Sequence, residues 1–131
     1  MRISTKGRYA LRVLIDLATN QSDRYLPLKE IAERQQISEK YLESIIVLLS
    51  KADLLDGHRG KGGGYRLKRS PSEYSVGEIL RLVENNMTAV ACLDCDSKGC
   101  ERASDCRTLS VWQNLQTRID DYLDSITLAD L

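Results

Sequence analysis

The chain of 131 residues has no net charge, because 19 Lys and Arg balance 19 Asp and Glu. Taken whole, that neutrality argues against a basic nucleic-acid binder. It also has no long apolar run: the first apolar stretch, Val13-Leu14-Ile15, stops at Asp16. A secretory core needs about 7 to 15 apolar residues and a membrane span about 20, so a cytoplasmic protein with no membrane contact is expected. There is one histidine, His58, and it sits in a short strand-like run as a surface residue. A cysteine nucleophile would therefore have no placed base, and no enzyme is expected. Internal repeats and low-complexity segments are missing too. At 42% hydrophobic and 29% charged residues, the chain can bury a modest core but not two large ones.

The neutrality is a sum of two unlike parts. Residues 1–70 hold 14 Lys and Arg against 8 Asp and Glu, a balance of +6, and residues 71–131 hold 5 against 11, a balance of −6. Asymmetry of this kind points to a polyanion-binding part joined to a part with another task.

Apolar periodicity predicts a helix over Thr5 to Thr19 and a short second helix opened by Pro27 and running through Arg34. Gln35-Gln36-Ile37-Ser38 reads as a turn, with Ser38 capping a third helix whose apolar face is Tyr41, Leu42, Ile45, Ile46, Leu48 and Leu49. Leu54 to His58 and Tyr65 to Lys68 read as two strands around a Gly-rich loop. Ser75 and Glu78 form a capping box for a fourth helix that ends near Asn85-Asn86. A final helix from about Thr108 to Ser125 carries Trp112, Leu115, Ile119, Tyr122 and Ile126 at heptad-like spacing.

Two helices joined by a turn and followed by a hairpin have the order of a winged helix-turn-helix. The third helix would enter a DNA major groove, where base edges are distinguishable. Lys40, Glu43 and Ser44 occupy its polar face; Glu43 suits cytosine N4 donors, because phosphates repel a carboxylate. Arg59, Gly60, Lys61 and Gly62 combine cations with residues that let the backbone approach phosphates or a minor groove. The same loop fails as a nucleotide cradle: Lys61 is followed by Gly62 where a P-loop needs Ser or Thr.

All four cysteines fall in one acidic stretch of 15 residues, Cys92, Cys95, Cys100 and Cys106, spaced C-x2-C-x4-C-x5-C. Four thiolates this close suit one soft centre, either tetrahedral zinc or an iron-sulfur cluster. Structural zinc more often uses two C-x2-C pairs, and only Cys92 and Cys95 make one, which leans to a cluster.

Ser4-Thr5-Lys6-Gly7-Arg8-Tyr9-Ala10, Ile37-Ser38 with Tyr41-Leu42-Glu43, Arg59 to Tyr65, Ser75 to Ile79, the cysteine segment, Trp112 and Ile126-Thr127-Leu128 together resemble the bacterial iron-sulfur cluster regulator family of winged-helix repressors, its IscR-like members above all. The resemblance covers nearly the whole chain. It implies a mainly α fold: a winged helix-turn-helix with a two-stranded wing over 1–70, then a cysteine loop (88–106) and a long C-terminal dimerisation helix (about 108–126) within 71–131. It also implies a homodimer joined through Trp112, Leu115, Ile119, Tyr122 and Ile126. The expected partner is a double-stranded, near-palindromic operator, contacted by Ser38, Lys40, Tyr41, Glu43, Ser44, Arg59, Gly60, Lys61 and Gly62, and no small-molecule substrate is expected.

The implied cofactor is a 2Fe-2S cluster on Cys92, Cys100 and Cys106, with zinc or no metal as the alternatives. IscR-like members place a histidine three residues after the last cysteine, where this chain has Leu109. Cys95 then becomes the candidate fourth ligand of an all-cysteine site, beside Glu101 and Asp105. NsrR-like members use an acidic residue near the N-terminus, and Arg8-Tyr9-Ala10 offers none. The resemblance assigns such regulators to genes of iron-sulfur assembly or sulfur metabolism. The alternatives to a cluster-controlled repressor are a cluster-free repressor responsive to thiol state or to a partner protein, and a zinc-bearing structural module.

Overall fold

The Ser4 hydroxyl accepts the Gly7 amide at 3.0 Å and so opens α1, Thr5–Thr19; the computed structural model of the chain describes residues 1–20, 22–94 and 99–131. Helix α1 buries Ala10, Val13, Leu14 and Leu17 along one face. Helix α2, Leu28–Gln35, follows Pro27 and ends on Gln36 in the left-handed conformation. That reversal aims the chain into α3, Glu39–Lys51, where the Ser38 hydroxyl accepts the Tyr41 amide at 3.2 Å. Strands β1, Leu55–His58, and β2, Gly64–Leu67, pair antiparallel with Leu55 opposite Leu67 and His58 opposite Gly64. Helix α4, Val76–Val83, and helix α5, Leu109–Ser125, complete the regular structure. Three-residue 3-10 turns stand at Pro71–Glu73, Ala91–Leu93 and Leu128–Asp130.

The order is that of a winged helix, and the expected fold is present. Leu14, Ile31, Leu42, Ile45, Leu49 and Ile79 are fully buried together, each contributing about 1.5–3 kcal/mol of transfer free energy. The core is continuous across residue 70. Tyr74 is fully buried, donates its hydroxyl to the Leu54 carbonyl (2.7 Å) and accepts the Lys68 and Arg69 amides (3.0 Å each). After α5 the chain returns to the same core: the Val76 amide donates to Ile126 (2.8 Å), the Leu128 amide to Tyr74 (3.0 Å), and Leu128 is buried.

Two local expectations differ from the structure. Helix α4 stops at Val83 and does not reach Asn85-Asn86, because Glu84 turns extended and its carboxylate accepts both the amide (2.8 Å) and hydroxyl (2.9 Å) of Ser4. The end of α4 thus braces the start of α1. At Ser75, only half of the capping box forms: its hydroxyl accepts the Glu78 amide (3.0 Å), but the Glu78 carboxylate pairs with Arg69 at 2.8 Å.

Two constraints position the reading elements. The first is Asp16, the one buried charged side chain among the described residues. Its carboxylate accepts the Arg34 guanidinium at 2.8 and 3.0 Å and the Gln35 amide nitrogen at 2.8 Å, tying α2 to α1. Arg12 reaches Gln35 from the other side, at 3.1 Å to the side-chain oxygen. The second is a third strand contact: Leu26 and Tyr65 exchange backbone hydrogen bonds of 2.9 Å each, which clamps the wing to the segment before α2. Gly64 makes that contact possible. Its φ is +148°, and a Cβ there would run into the Leu26-Pro27 backbone.

Arg34→Met should cost about 3–5 kcal/mol, because it strands a buried carboxylate with only neutral donors. Urea unfolding is the measurement. Asp16→Asn in the same chain should recover part of the loss, since no charge then needs a partner.

Candidate nucleic-acid interface and cysteine segment

One face of α3 is open to solvent. Ser38, Lys40, Glu43 and Ser44 are exposed on it, and none of the charged ones is in an ion pair among the described residues. The Ser44 hydroxyl donates to the Tyr41 carbonyl at 2.7 Å and so keeps its acceptor lone pairs for a ligand. Tyr41 differs from the rest: it is half-buried, its ring edge-on to Tyr9 at 5.8 Å between centroids, so it supports the face as much as it belongs to it. Val47 lies on the same face, one turn beyond Glu43 and Ser44, and is 49% exposed. Sequence reasoning passed over it as an ordinary helix residue; the signal was an apolar side chain in line with Lys40 and Ser44.

The wing tip carries Arg59, Gly60, Lys61 and Gly62, all exposed. Gly60 and Gly62 have φ of +90° and +74°, and nothing lies within 4 Å of where either Cβ would stand. The glycines answer to backbone shape alone, and the tip is left uncrowded. The stem is fixed by a polar cluster that the sequence did not announce. The Tyr25 hydroxyl and the Arg66 guanidinium both donate to Asp56 at 3.0 Å, Arg66 lies over the Tyr25 ring at 4.4 Å, and His58 stacks on that ring at 5.3 Å. His58 is therefore exposed on the wing surface, as expected, and in addition stacks on Tyr25. Its neighbours hold the Asp56 carboxyl below the usual carboxylate range, the Tyr25 hydrogen bond first and Arg66 second, and the Tyr25 phenol is raised in return.

The cysteine segment runs from the end of α4 to the start of α5. Cys92, at the Ala91–Leu93 turn, and Cys100 are exposed, Cys106 is half-buried, and all three are free thiols. Cys95 lies outside the described residues. The Thr108 hydroxyl, 3.4 Å from the Cys106 sulfur, leads the contacts that lower that thiol's pKa, with the Thr108 and Leu109 amides and Arg102 adding to it. Donor chemistry fits a soft metal: the thiols are free, clustered in sequence and accessible. Among the described residues, however, no three metal-binding side chains converge. Leu109, at the position of the histidine in IscR-like sequences, is the first residue of α5 and its amide donates to the Cys106 carbonyl at 3.3 Å.

Helix α5 has no buried residue along its 17 positions. The predicted heptad seam divides into two edges. Trp112 and Ile119 are half-buried toward the rest of the chain; Ile126, expected on the same helix, lies past its end in extended conformation, where its carbonyl accepts the Val76 amide; Leu115 (41% exposed) and Tyr122 (66%), joined by Val111 (54%), form an open apolar stripe. On its inner side α5 is held by polar contacts: Gln116 to the Met87 and Ala89 backbone, and Arg81 of α4 to Asp120 (3.5 Å) and Asp124. Among the described residues no helix is long and apolar enough to cross a membrane.

Comparison with known proteins matches this arrangement. The family model of Rrf2, described as an iron-dependent transcriptional regulator, matches residues 3–131. The HTH-type transcriptional regulator IscR of Aliivibrio salmonicida is 39% identical over all 131 residues, which cover 77% of that protein. Among solved structures, IscR of T. potens is similar with a TM-score of 0.76 at 40% identity, covering 99% of this chain and 85% of that one. CymR of B. subtilis, titled the global cysteine regulator of that organism, has a TM-score of 0.80 at 34% identity, covering 99% and 95%.

The wing stem should respond to acid. A depressed carboxylate contributes fully above its unfolded value, and the contribution is lost as the pH falls from there through the lowered value. Amide exchange in Gly64 and Tyr65 should therefore accelerate only below the ordinary carboxylate range, and Asp56→Asn should remove that pH dependence.

Proposed function

This chain belongs to the Rrf2 family of iron-dependent transcriptional regulators, and from that membership we propose that it binds a near-palindromic operator as a homodimer under the control of its cysteine segment. It is a transcription regulator of the IscR type, not an enzyme. The observation that carries the proposal is that three free, accessible thiols lie on the one segment joining the winged helix to α5.

In this reading Ser38, Lys40, Tyr41, Glu43 and Ser44 read the major groove, while Arg59, Gly60, Lys61 and Gly62 reach phosphates and the neighbouring minor groove. Two copies join along α5 through Leu115 and Tyr122 with Val111, flanked by Trp112, Ile119 and Ile126; an apolar stripe at heptad spacing is the surface a second identical helix covers best. Cys92, Cys100 and Cys106 would hold a 2Fe-2S cluster, with Cys95 as fourth ligand and Glu101 or Asp105 as its substitutes. Such a centre supplies one-electron redox chemistry that signals iron or oxidant status. Thiols held on one centre would fix the path of the segment between Met87 and Leu109, and with it where α5 begins. The tilt of α5 then sets the distance between two reading heads, which must match one helical turn of DNA, about 34 Å. Genes of iron-sulfur assembly or sulfur metabolism are the targets this reading favours.

A second reading rests on Cys106, whose lowered pKa favours the more oxidisable thiolate. There the same thiols act without metal, as a redox-sensitive repressor of cysteine metabolism.

Anaerobic reconstitution with iron and sulfide should yield a coloured protein absorbing in the visible. A colourless protein with stoichiometric zinc, or a metal-free one whose DNA affinity follows thiol oxidation, overturns the cluster. On a duplex selected by the protein from a randomised library, Arg59→Ala should weaken binding by about 1–3 kcal/mol, and Glu43→Ala should relax base preference by a similar amount. Lys61→Ala should lower the salt slope by about 1. Unchanged affinity, selectivity and slope in all three would refute the interface.

A further inference from the structure

We infer that Gln116 is the positioning residue that carries the state of the cysteine segment into α5 and from there into the reading heads. The inference rests on the reading above, in which that segment controls operator affinity. Gln116 sits on α5 and uses both ends of its carboxamide. The oxygen accepts the Ala89 amide at 2.7 Å, and the nitrogen donates to the Met87 carbonyl at 3.2 Å and to Asp120 at 3.1 Å. Met87 and Ala89 belong to the stem of the cysteine segment, directly before the Ala91–Leu93 turn that holds Cys92. Asp120, one turn further along α5, pairs with Arg81 of α4, which also pairs with Asp124. A continuous polar path therefore runs from the backbone beside Cys92, through Gln116 and Asp120, to α4 in the body that presents α3.

Two features give this path its weight. Within one chain helix α5 buries no residue, so its hold on the body rests on half-buried side chains and on the polar contacts of Gln116 and Arg81. Gln116 also grips the stem through backbone atoms on both sides of Thr88. A side chain bonded to the Ala89 N–H and the Met87 carbonyl follows any displacement of that stem, whatever the side chains nearby do. A glutamine facing solvent would add only helix propensity; this one satisfies two stem groups and an α5 carboxylate at once.

Coupling between two sites is reciprocal, so the test has two arms. Gln116→Met keeps length and helix propensity but removes every one of these bonds. The first arm measures affinity for a duplex enriched by the wild-type protein from a randomised library, comparing cluster-reconstituted with metal-free protein. The wild type should show a ratio of at least about 5-fold, a typical coupling, and Gln116→Met should show less than about 2-fold while reconstituting to the same visible absorbance. The second arm needs no metal: in metal-free protein, adding the duplex should change amide exchange at Ala89 and the alkylation rate of Cys92 in the wild type and leave both unchanged in Gln116→Met. Gln116→Glu keeps the acceptor for Ala89 but loses the donor to both Met87 and Asp120 and sets a carboxylate against Asp120, so it should give a ratio between those of the wild type and Gln116→Met; it also serves if the methionine variant does not fold. A folded variant with the full wild-type ratio and responses overturns the inference alone. A wild type whose two forms bind DNA equally overturns the control of DNA binding by the cysteine segment, and the inference with it.

Discussion

The buried carboxylate of Asp16 governs how the helix-turn-helix is built. A charge taken out of water must be repaid in hydrogen bonds, and here Arg34 and Gln35 supply them from the last turn of α2. Because both donors sit at that end of the helix, the bonds fix where α2 stops, and Gln36 then reverses the chain into α3. Arg12, stacked on Tyr9 at 4.9 Å and bonded to Gln35, secures the same corner, while Tyr9 supports Tyr41 at the start of α3. The orientation of α3 on the body is thus set by one polar corner between three helices.

The wing is placed by a separate device. Its two strands are too short to hold an orientation alone, since an isolated hairpin is marginally stable. The Leu26-Tyr65 exchange adds a third strand contact, and the Asp56 cluster pins the outer surface of the stem. The tip carrying Arg59 and Lys61 is left uncrowded, held at its base and open at its end. That combination leaves the two cations room to adapt while the strands keep their register.

The acidic half of the chain is organised differently. Its α4 and the returning Leu128 join the common core, but α5 stays at the surface, attached by Arg81 and Gln116 and by half-buried apolar residues. Polar attachment is weaker and more directional than burial. The balance of +6 in residues 1–70 and −6 in residues 71–131 coincides with this difference in attachment as well as with the location of the exposed cations of the wing.

Much of this was legible in the sequence. The helix periodicities, the Ser38 cap, the Gly-rich tip and the clustered cysteines are local signals, because hydrogen-bond geometry within a few residues determines them. Lys40, Glu43 and Arg59 could be picked out for the same reason: their exposure follows from helical or hairpin spacing. What was not legible depends on residues far apart in the chain. Glu84 ends α4 early because Ser4, 80 positions away, takes its carboxylate; Asp56 meets Tyr25 across 31 positions; Gln116 meets Met87 across 29. The heptad seam shows the division most clearly. Spacing alone predicted one seam through Trp112, Leu115, Ile119, Tyr122 and Ile126, whereas only the packing of α5 on the body decided that Leu115 and Tyr122 stay open and that Ile126, past the end of the helix, turns extended to accept the Val76 amide.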